Sequence, residues 1–229
     1  MNDSYKGYNP IKLALRAAEL AQREGISELK RGIYDYVYYR GFHHYQKTRV
    51  DNEFRWEFIR GYIADTDSSL LDIGCAEGFF CKRAADCGLS VHGIDMRENR
   101  IKKARRDLPE GKFEVMQITP DSVTKLPSVD IVLALTVYHH WVRDFGWEQA
   151  NLILSELMKN CRLLVFEPPP PRHKYIDVTL SVDQSSLAYY SSIIHDIAPA
   201  AEIVGKAMTE FKSENRSDPI FAVDCSNVK

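Results

Sequence analysis

Two glycines four residues apart follow an acid at the end of an apolar run, Leu70-Leu71-Asp72-Ile73-Gly74-Cys75-Ala76-Glu77-Gly78-Phe79. Glycine serves where backbone must turn sharply or come close to a ligand. The run is neither GxGxxG nor a P-loop, which would need a lysine. A second acid, Asp95, closes Val91-His92-Gly93-Ile94-Asp95, at the distance of roughly twenty residues where Rossmann-type sites set a carboxylate on ribose hydroxyls. The pair points to a nucleoside-bearing ligand. The missing GxGxxG argues against nicotinamide. Cys75, inside the loop, has no base beside it and reads as a packing residue rather than a nucleophile.

The most apolar run of the chain ends in Leu135-Thr136-Val137-Tyr138-His139-His140-Trp141. Tyr138, His139 and His140 are the catalytic candidates, since histidine serves as a general base near neutral pH. Adjacent side chains of an extended segment point opposite ways. One histidine at most then faces an acceptor, and the residues do not say which. Trp141 would line the acceptor side. Glu167 ends another apolar run; it either binds an acceptor hydroxyl or is an exposed strand-end acid fixed by Pro168–Pro171. The stretch Tyr34 to Gln46 mixes aromatics with Arg40, His43 and His44, which suits either a lid over a ligand or plain helix packing. The run Arg97, Arg100, Lys102, Lys103, Arg105 and Arg106 reads as a solvated helix face.

The elements that must position these residues alternate. Strands are expected at Ser69–Ile73, Leu89–Ile94, Lys112–Met116, Val129–Leu135 and Cys161–Phe166, with helices at Phe79–Cys87, Arg97–Asp107 and Trp147–Asn160 between them. Such alternation predicts a parallel sheet covered on both faces. The tail differs. A helix over Val182–Ala198 precedes two strands, Ala201–Phe211 and Pro219–Cys225, whose short connection makes them antiparallel. Helical patterns fill the chain before Thr66. The expectation is an α/β fold: a Rossmann-like seven-stranded sheet, mostly parallel with a C-terminal antiparallel hairpin, helices on both faces and an N-terminal helical extension. Residues 1–66 form that extension and residues 67–229 the main domain.

With 229 residues, a net charge of -2 and 45% hydrophobic residues, the chain suits a globular fold with a substantial core and not a bulk polyanion binder. No apolar run reaches membrane-spanning length, and Met1–Pro10 has no apolar export core. The five cysteines are odd in number and form no CxxC pair, which fits a reducing, cytoplasmic location. No metal-ligand spacing is present.

The Asp72–Gly78 loop resembles the first motif of the class I S-adenosylmethionine-dependent methyltransferases, D-x-G-x-x-x-G, and Gly93-Ile94-Asp95 resembles their second. The resemblance implies S-adenosylmethionine as cofactor and S-adenosylhomocysteine as product. It also implies that Asp72, Gly74 and Gly78 shape the pocket for the methionine end, with backbone from Cys75 and Ala76. Asp95 would hold the ribose, Met96 would pack on the adenine, and Leu135 would line the pocket. Many relatives carry an acid after the third strand, near the adenine amine. This chain has Met116-Gln117-Ile118-Thr119 there, so Gln117, Ile118 or Thr119 would serve.

Leu133 to Trp141 and Leu164 to Pro168 further resemble the methyltransferase domain of bacterial O-antigen chain-terminating enzymes, and more loosely the enzymes that cap RNA phosphates. That implies O-directed transfer to a small-molecule, glycan or phosphate-bearing acceptor. A phosphate oxygen is already ionised and needs cationic clamps instead of a base; Arg40, His43, His44, Lys47, Arg49 and Arg172 are candidates. Methylation of RNA, disfavoured by the neutral overall charge, and a non-catalytic cofactor-binding partner are the alternatives.

Overall fold

A strand buried on both faces needs apolar residues at both parities, because successive side chains point to opposite sides. Leu70 and Leu71 meet that need within Ser69–Ile73 (β1), and Ile131 to Leu135 within Val129–Leu135 (β4). Leu70, Ile131, Leu133 and Leu135 join one core cluster; Leu71, Ile73, Val132 and Ala134 join another on the opposite face. The remaining strands are Ser90–Asp95 (β2), Lys112–Val115 (β3), Cys161–Glu167 (β5), Glu202–Phe211 (β6) and Arg216–Asp224 (β7). The computed structural model describes residues 52–171, 173, 175, 176, 178, 185–211 and 216–228. Arg40, His43, His44, Lys47, Arg49 and Arg172 lie outside them, as do the helices expected before Asn52.

The seven strands form one sheet in the order β3-β2-β1-β4-β5-β7-β6. β1 to β5 pair in parallel, while β7 lies antiparallel between β5 and β6. This is the expected sheet. β7 begins earlier than expected. Pro219, which lacks an N–H, pairs with Met208 of β6 beyond the last β5 partner, Phe221 opposite Phe166, so it breaks no ladder bond there.

One face carries Asn52–Arg60 (α1), Phe79–Asp86 (α2) and Glu98–Asp107 (α3), through Trp56, Ile59, Phe80, Ala84, Ile101 and Ala104. The other carries Pro120–Val123 (α4), Tyr138–Lys159 (α5) and Ser186–Ile197 (α6), through Val123, Ile153, Leu157, Tyr190 and Ile194. α4 was not expected from periodicity, being only one turn long. Its signature is local: the Thr119 hydroxyl accepts from the Ser122 amide at 3.1 Å, the Ser122 hydroxyl accepts from the Thr119 amide at 2.8 Å, and proline follows the cap. That reciprocal pairing is a capping box. α5 begins at Tyr138, well before the expected Trp147, and is two helical segments joined at Gly146.

Candidate active site

In an open parallel sheet, ligands sit beyond the carboxyl ends of the strands. At the end of β1 the chain turns through left-handed backbone at Gly74 (φ 76°), Ala76 (φ 49°) and Gly78 (φ 82°). A side chain at Gly74 would be strained and its Cβ would lie 2.5 Å from Val137 Cγ1. The loop is closed from inside. The Gly74 and Cys75 amides donate to the Ile94 carbonyl at 2.7 and 3.0 Å, and the Gly78 amide donates to the Cys75 carbonyl at 2.9 Å. The Ala76 amide donates to Asp95 Oδ2 at 3.0 Å, while Asp95 Oδ1 accepts from the Arg97 amide at 2.8 Å. Asp95 thus ties the first loop to the second. The backbone donors expected to be offered by Cys75 and Ala76 are engaged in this closure, and both side chains are buried.

Asp72 is buried, and its parity points it toward the α1–α3 face. There the Cys81 thiol donates to Oδ2 at 3.6 Å. Burial pushes its carboxyl up to about 7, against the opposing pull of the Cys81 bond and of Arg55. A carboxylate so starved of solvation suits a cationic ligand. Met96, by contrast, is 58% exposed at the end of β2, an apolar surface open to a flat ring. Gln117 is exposed, while Ile118 and Leu135 are buried in the two core clusters. Left-handed glycines, a buried acid and an exposed apolar side chain at one sheet edge fit a cofactor with an amino-acid end and a nucleoside end.

At the end of β4, Thr136 adopts φ 56°, and the next residues start α5. Tyr138 to Trp141 are therefore helical, not extended, and the expected opposition of His139 and His140 does not hold. Their rings lie 4.0 Å apart, centroid to centroid. The His139 ring also lies 4.6 Å from His173 and stacks on Tyr175 at 6.1 Å. The Tyr175 amide donates to His173 Nδ1 at 3.4 Å, and the Arg143 guanidinium sits over the Tyr175 ring at 5.2 Å. Arg143 is held by Asp144 through bonds of 2.7 and 2.8 Å. Burial, with Arg143 the leading charge nearby, pushes the His140 imidazole down to about 4. At neutral pH it is uncharged.

Three expected site residues face inward. Tyr138 is fully buried; its hydroxyl donates to Asn151 at 2.5 Å, and its ring packs edge-on against Trp141, Trp147, Phe166 and Tyr190. One helical step turns it from the histidines toward the sheet, so the catalytic role expected of it is withdrawn. Trp141, 5% exposed, belongs to the same aromatic cluster. Glu167 is fully buried and ion-paired to Arg55 at 2.5 Å, so it is neither an exposed strand-end acid nor a ligand for an acceptor hydroxyl. Sequence reading missed Arg55, Arg143, His173 and Tyr175. Nothing local marks them; they reach the site only through the fold. The basic run on α3 is engaged within the protein: Lys103 pairs with Glu77, Arg100 with Asp95, Lys102 with Glu98, and Arg105 donates to the Phe113 carbonyl. Among the described residues no cluster of His, Cys, Asp or Glu could hold a metal ion, and no helix is long and apolar enough to cross a membrane.

Residues 71–162 match the family model of a methyltransferase domain. Over 106 residues the chain is 29% identical to the O-antigen chain terminator bifunctional methyltransferase/kinase WbdD of Escherichia coli, covering 43% of this chain and 15% of that protein. Over 93 residues it is 30% identical to the ubiquinone biosynthesis O-methyltransferase of Nitrosococcus oceani, covering 39% of each chain. Both matches span well under half of these relatives. Among solved structures, WbdD superposes with a TM-score of 0.59 at 20% identity, over 78% of this chain and 41% of the other. Magnesium protoporphyrin IX methyltransferase from Synechocystis PCC 6803, solved with bound S-adenosylmethionine, superposes with a TM-score of 0.54 at 18% identity, over 96% and 99%. The family match runs through the Asp72–Gly78 loop and β2. Residues 71–162 thus carry a match to a methyltransferase domain, on a sheet with the fold of the S-adenosylmethionine-dependent methyltransferase structures.

Proposed function

We propose that the protein transfers a methyl group to an oxygen of a phosphate-bearing acceptor, within the wider class of small-molecule and glycan acceptors. S-adenosylmethionine supplies an electrophilic methyl on a sulfonium. On this reading Asp72, Gly74 and Gly78 receive the amino-acid end of the cofactor. Asp95 takes the ribose, and Met96, Gln117, Ile118 and Leu135 form the adenine and methyl side. His139 and His140, with His173 and Arg143, receive the acceptor.

The observation that carries the reading is the cluster of His139, His140 and His173 at the start of α5, and the environment of His140 supports it. An imidazole held down to about 4 is a weak base at neutral pH, so it serves poorly to deprotonate a hydroxyl. An ionised phosphate oxygen needs no deprotonation. It needs hydrogen-bond donors, and the His139 ring lies 4.0 Å from His140 and 4.6 Å from His173, so three imidazoles stand together to supply them. The resemblance to O-antigen chain terminators supports the same acceptor class. The free thiols Cys75, Cys81, Cys87, Cys161 and Cys225 support a reducing, cytoplasmic setting. RNA methylation gains no support from α3, whose cations are engaged.

The test compares acceptors that differ only in a terminal phosphate. Purified protein is incubated with methyl-labelled S-adenosylmethionine and either phosphorylated or phosphatase-treated oligosaccharides. Label should enter the phosphorylated set alone, and Arg143→Ala should lower its rate by roughly 100-fold, as for loss of one preorganised donor. Equal labelling of both sets would refute the phosphate reading.

A further inference from the structure

Strand parity places Asp72, Glu167 and Thr209 on the sheet face covered by α1. There, buried beneath the strand ends, lies a network of charged and hydroxyl side chains. The Arg55 guanidinium, 3% exposed, pairs with Glu167 Oε2 at 2.5 Å, donates to Asn52 Oδ1 at 2.9 Å and lies over the Phe80 ring at 4.9 Å. The Thr209 hydroxyl of β6 donates to Glu167 Oε1 at 2.8 Å. Glu167 in turn grips Thr136 twice. Its carbonyl accepts the Thr136 amide at 2.8 Å, and its Oε2 accepts the Thr136 hydroxyl at 3.4 Å.

Thr136 is the residue that turns the chain from β4 into α5, and it does so at φ 56°. A β-branched side chain in left-handed backbone is a strained arrangement. It persists only where its surroundings over-determine it. A buried ion pair is also a poor source of stability, since desolvation offsets the attraction. Such a network is better read for what it holds in place.

We infer that Glu167 is a positioning residue. Anchored by Arg55 and Thr209, it clamps Thr136 in the left-handed turn and thereby aims the His139–His140 start of α5. The clamp reaches the histidines through Thr136 and the start of α5. It couples the helix that precedes the sheet to the acceptor end, because Arg55 comes from α1. The value of the histidine aim for methyl transfer rests on the proposed function. The clamp itself does not, and it is testable in the protein without cofactor or acceptor.

The readout is the proton NMR position of the imidazole Cε1–H resonances. Glu167→Gln keeps the shape of the side chain and removes the charge that Arg55 grips. The His139 and His140 resonances should shift by more than a line width, while His92 on β2 and His195 on α6 stay in place. Thr136→Gly adopts a positive φ without strain, so in the Glu167→Gln background it should return both resonances toward their original positions. Thr136→Val removes the hydroxyl bond without touching the buried charge. It should shift the same two resonances, and it decides the matter alone if Glu167→Gln does not fold. Unmoved His139 and His140 in the folded variants, or four histidines moving together, would overturn the inference. So would failure of glycine to restore them.

Discussion

Tyr138 and His139 are neighbours in sequence and face different surroundings in the fold. The tyrosine is fully buried among aromatics and the histidine lies in a cluster with His140, His173 and Tyr175. Tyr138→Phe therefore keeps methyl transfer near the parent rate and loses only the bond to Asn151, about 1 kcal/mol of stability in a denaturant titration. A large loss of turnover at unchanged stability would return the phenol to the chemistry. Two other residues set opposing pH slopes. The Asp72 carboxyl, raised to about 7, favours the fold most below its ordinary range, and that contribution is lost as pH rises through about 7. The His140 imidazole, lowered to about 4, contributes stability that is present above its ordinary value near 6.5 and lost as pH falls through about 4. Between these limits the two oppose each other. Asp72→Asn removes one, so its stability should climb with pH more steeply than the parent's between about pH 4 and pH 7, by up to roughly 1.4 kcal/mol per unit. Parallel pH profiles of denaturation midpoint would count against the buried acid. Asp72 and Asp95 were legible as an acid at each of two strand ends. Arg55 and His173 were not, since their roles depend on partners 112 and 34 residues away, Glu167 and His139, that only the fold supplies.

At the scale of elements, strand alternation and the two glycine-opened motifs were readable because each is a local pattern. β1 and β4 have the limits expected of them. The start of α5 was not readable in the same way. Thr136, Val137 and Tyr138 are β-branched or aromatic and look like a continuing strand, and the helix wins through Thr136's left-handed turn and the burial of Tyr138 and Trp141. That start also touches the cofactor loop, since Val137 Cγ1 occupies the place a Gly74 side chain would need. Gly74→Ala should therefore disturb both ends of the site. The left-handed φ costs about 1–2 kcal/mol for a residue with a Cβ, and the displaced Val137 adds to it. Cofactor affinity should fall by roughly tenfold or more with the sheet intact by circular dichroism. Unchanged affinity would show that the loop tolerates a side chain and does not set the pocket.

At the scale of the whole molecule, the order β3-β2-β1-β4-β5-β7-β6 gathers chemistry that the sequence scatters. The ends of β1 and β2 carry Asp72 and Asp95, and the ends of β4 and β5 carry Thr136 and Glu167, all at one edge. The alternation of elements implied a parallel sheet, and the short Lys212–Asp218 connection implied the antiparallel pair. Which strand β7 inserts beside was not implied, because Ile220 to Val223 are apolar at both parities and would suit any central place. On the proposed function, this edge binds S-adenosylmethionine with Asp95 at its centre. Calorimetric titration of the purified protein with S-adenosylmethionine, S-adenosylhomocysteine and NAD tests it most directly. Saturable binding of the first two and none of the third, weakened roughly tenfold or more in a folded Asp95→Ala variant, is the predicted result. No binding of either sulfur nucleoside, or binding that Asp95→Ala leaves unchanged, would contradict it.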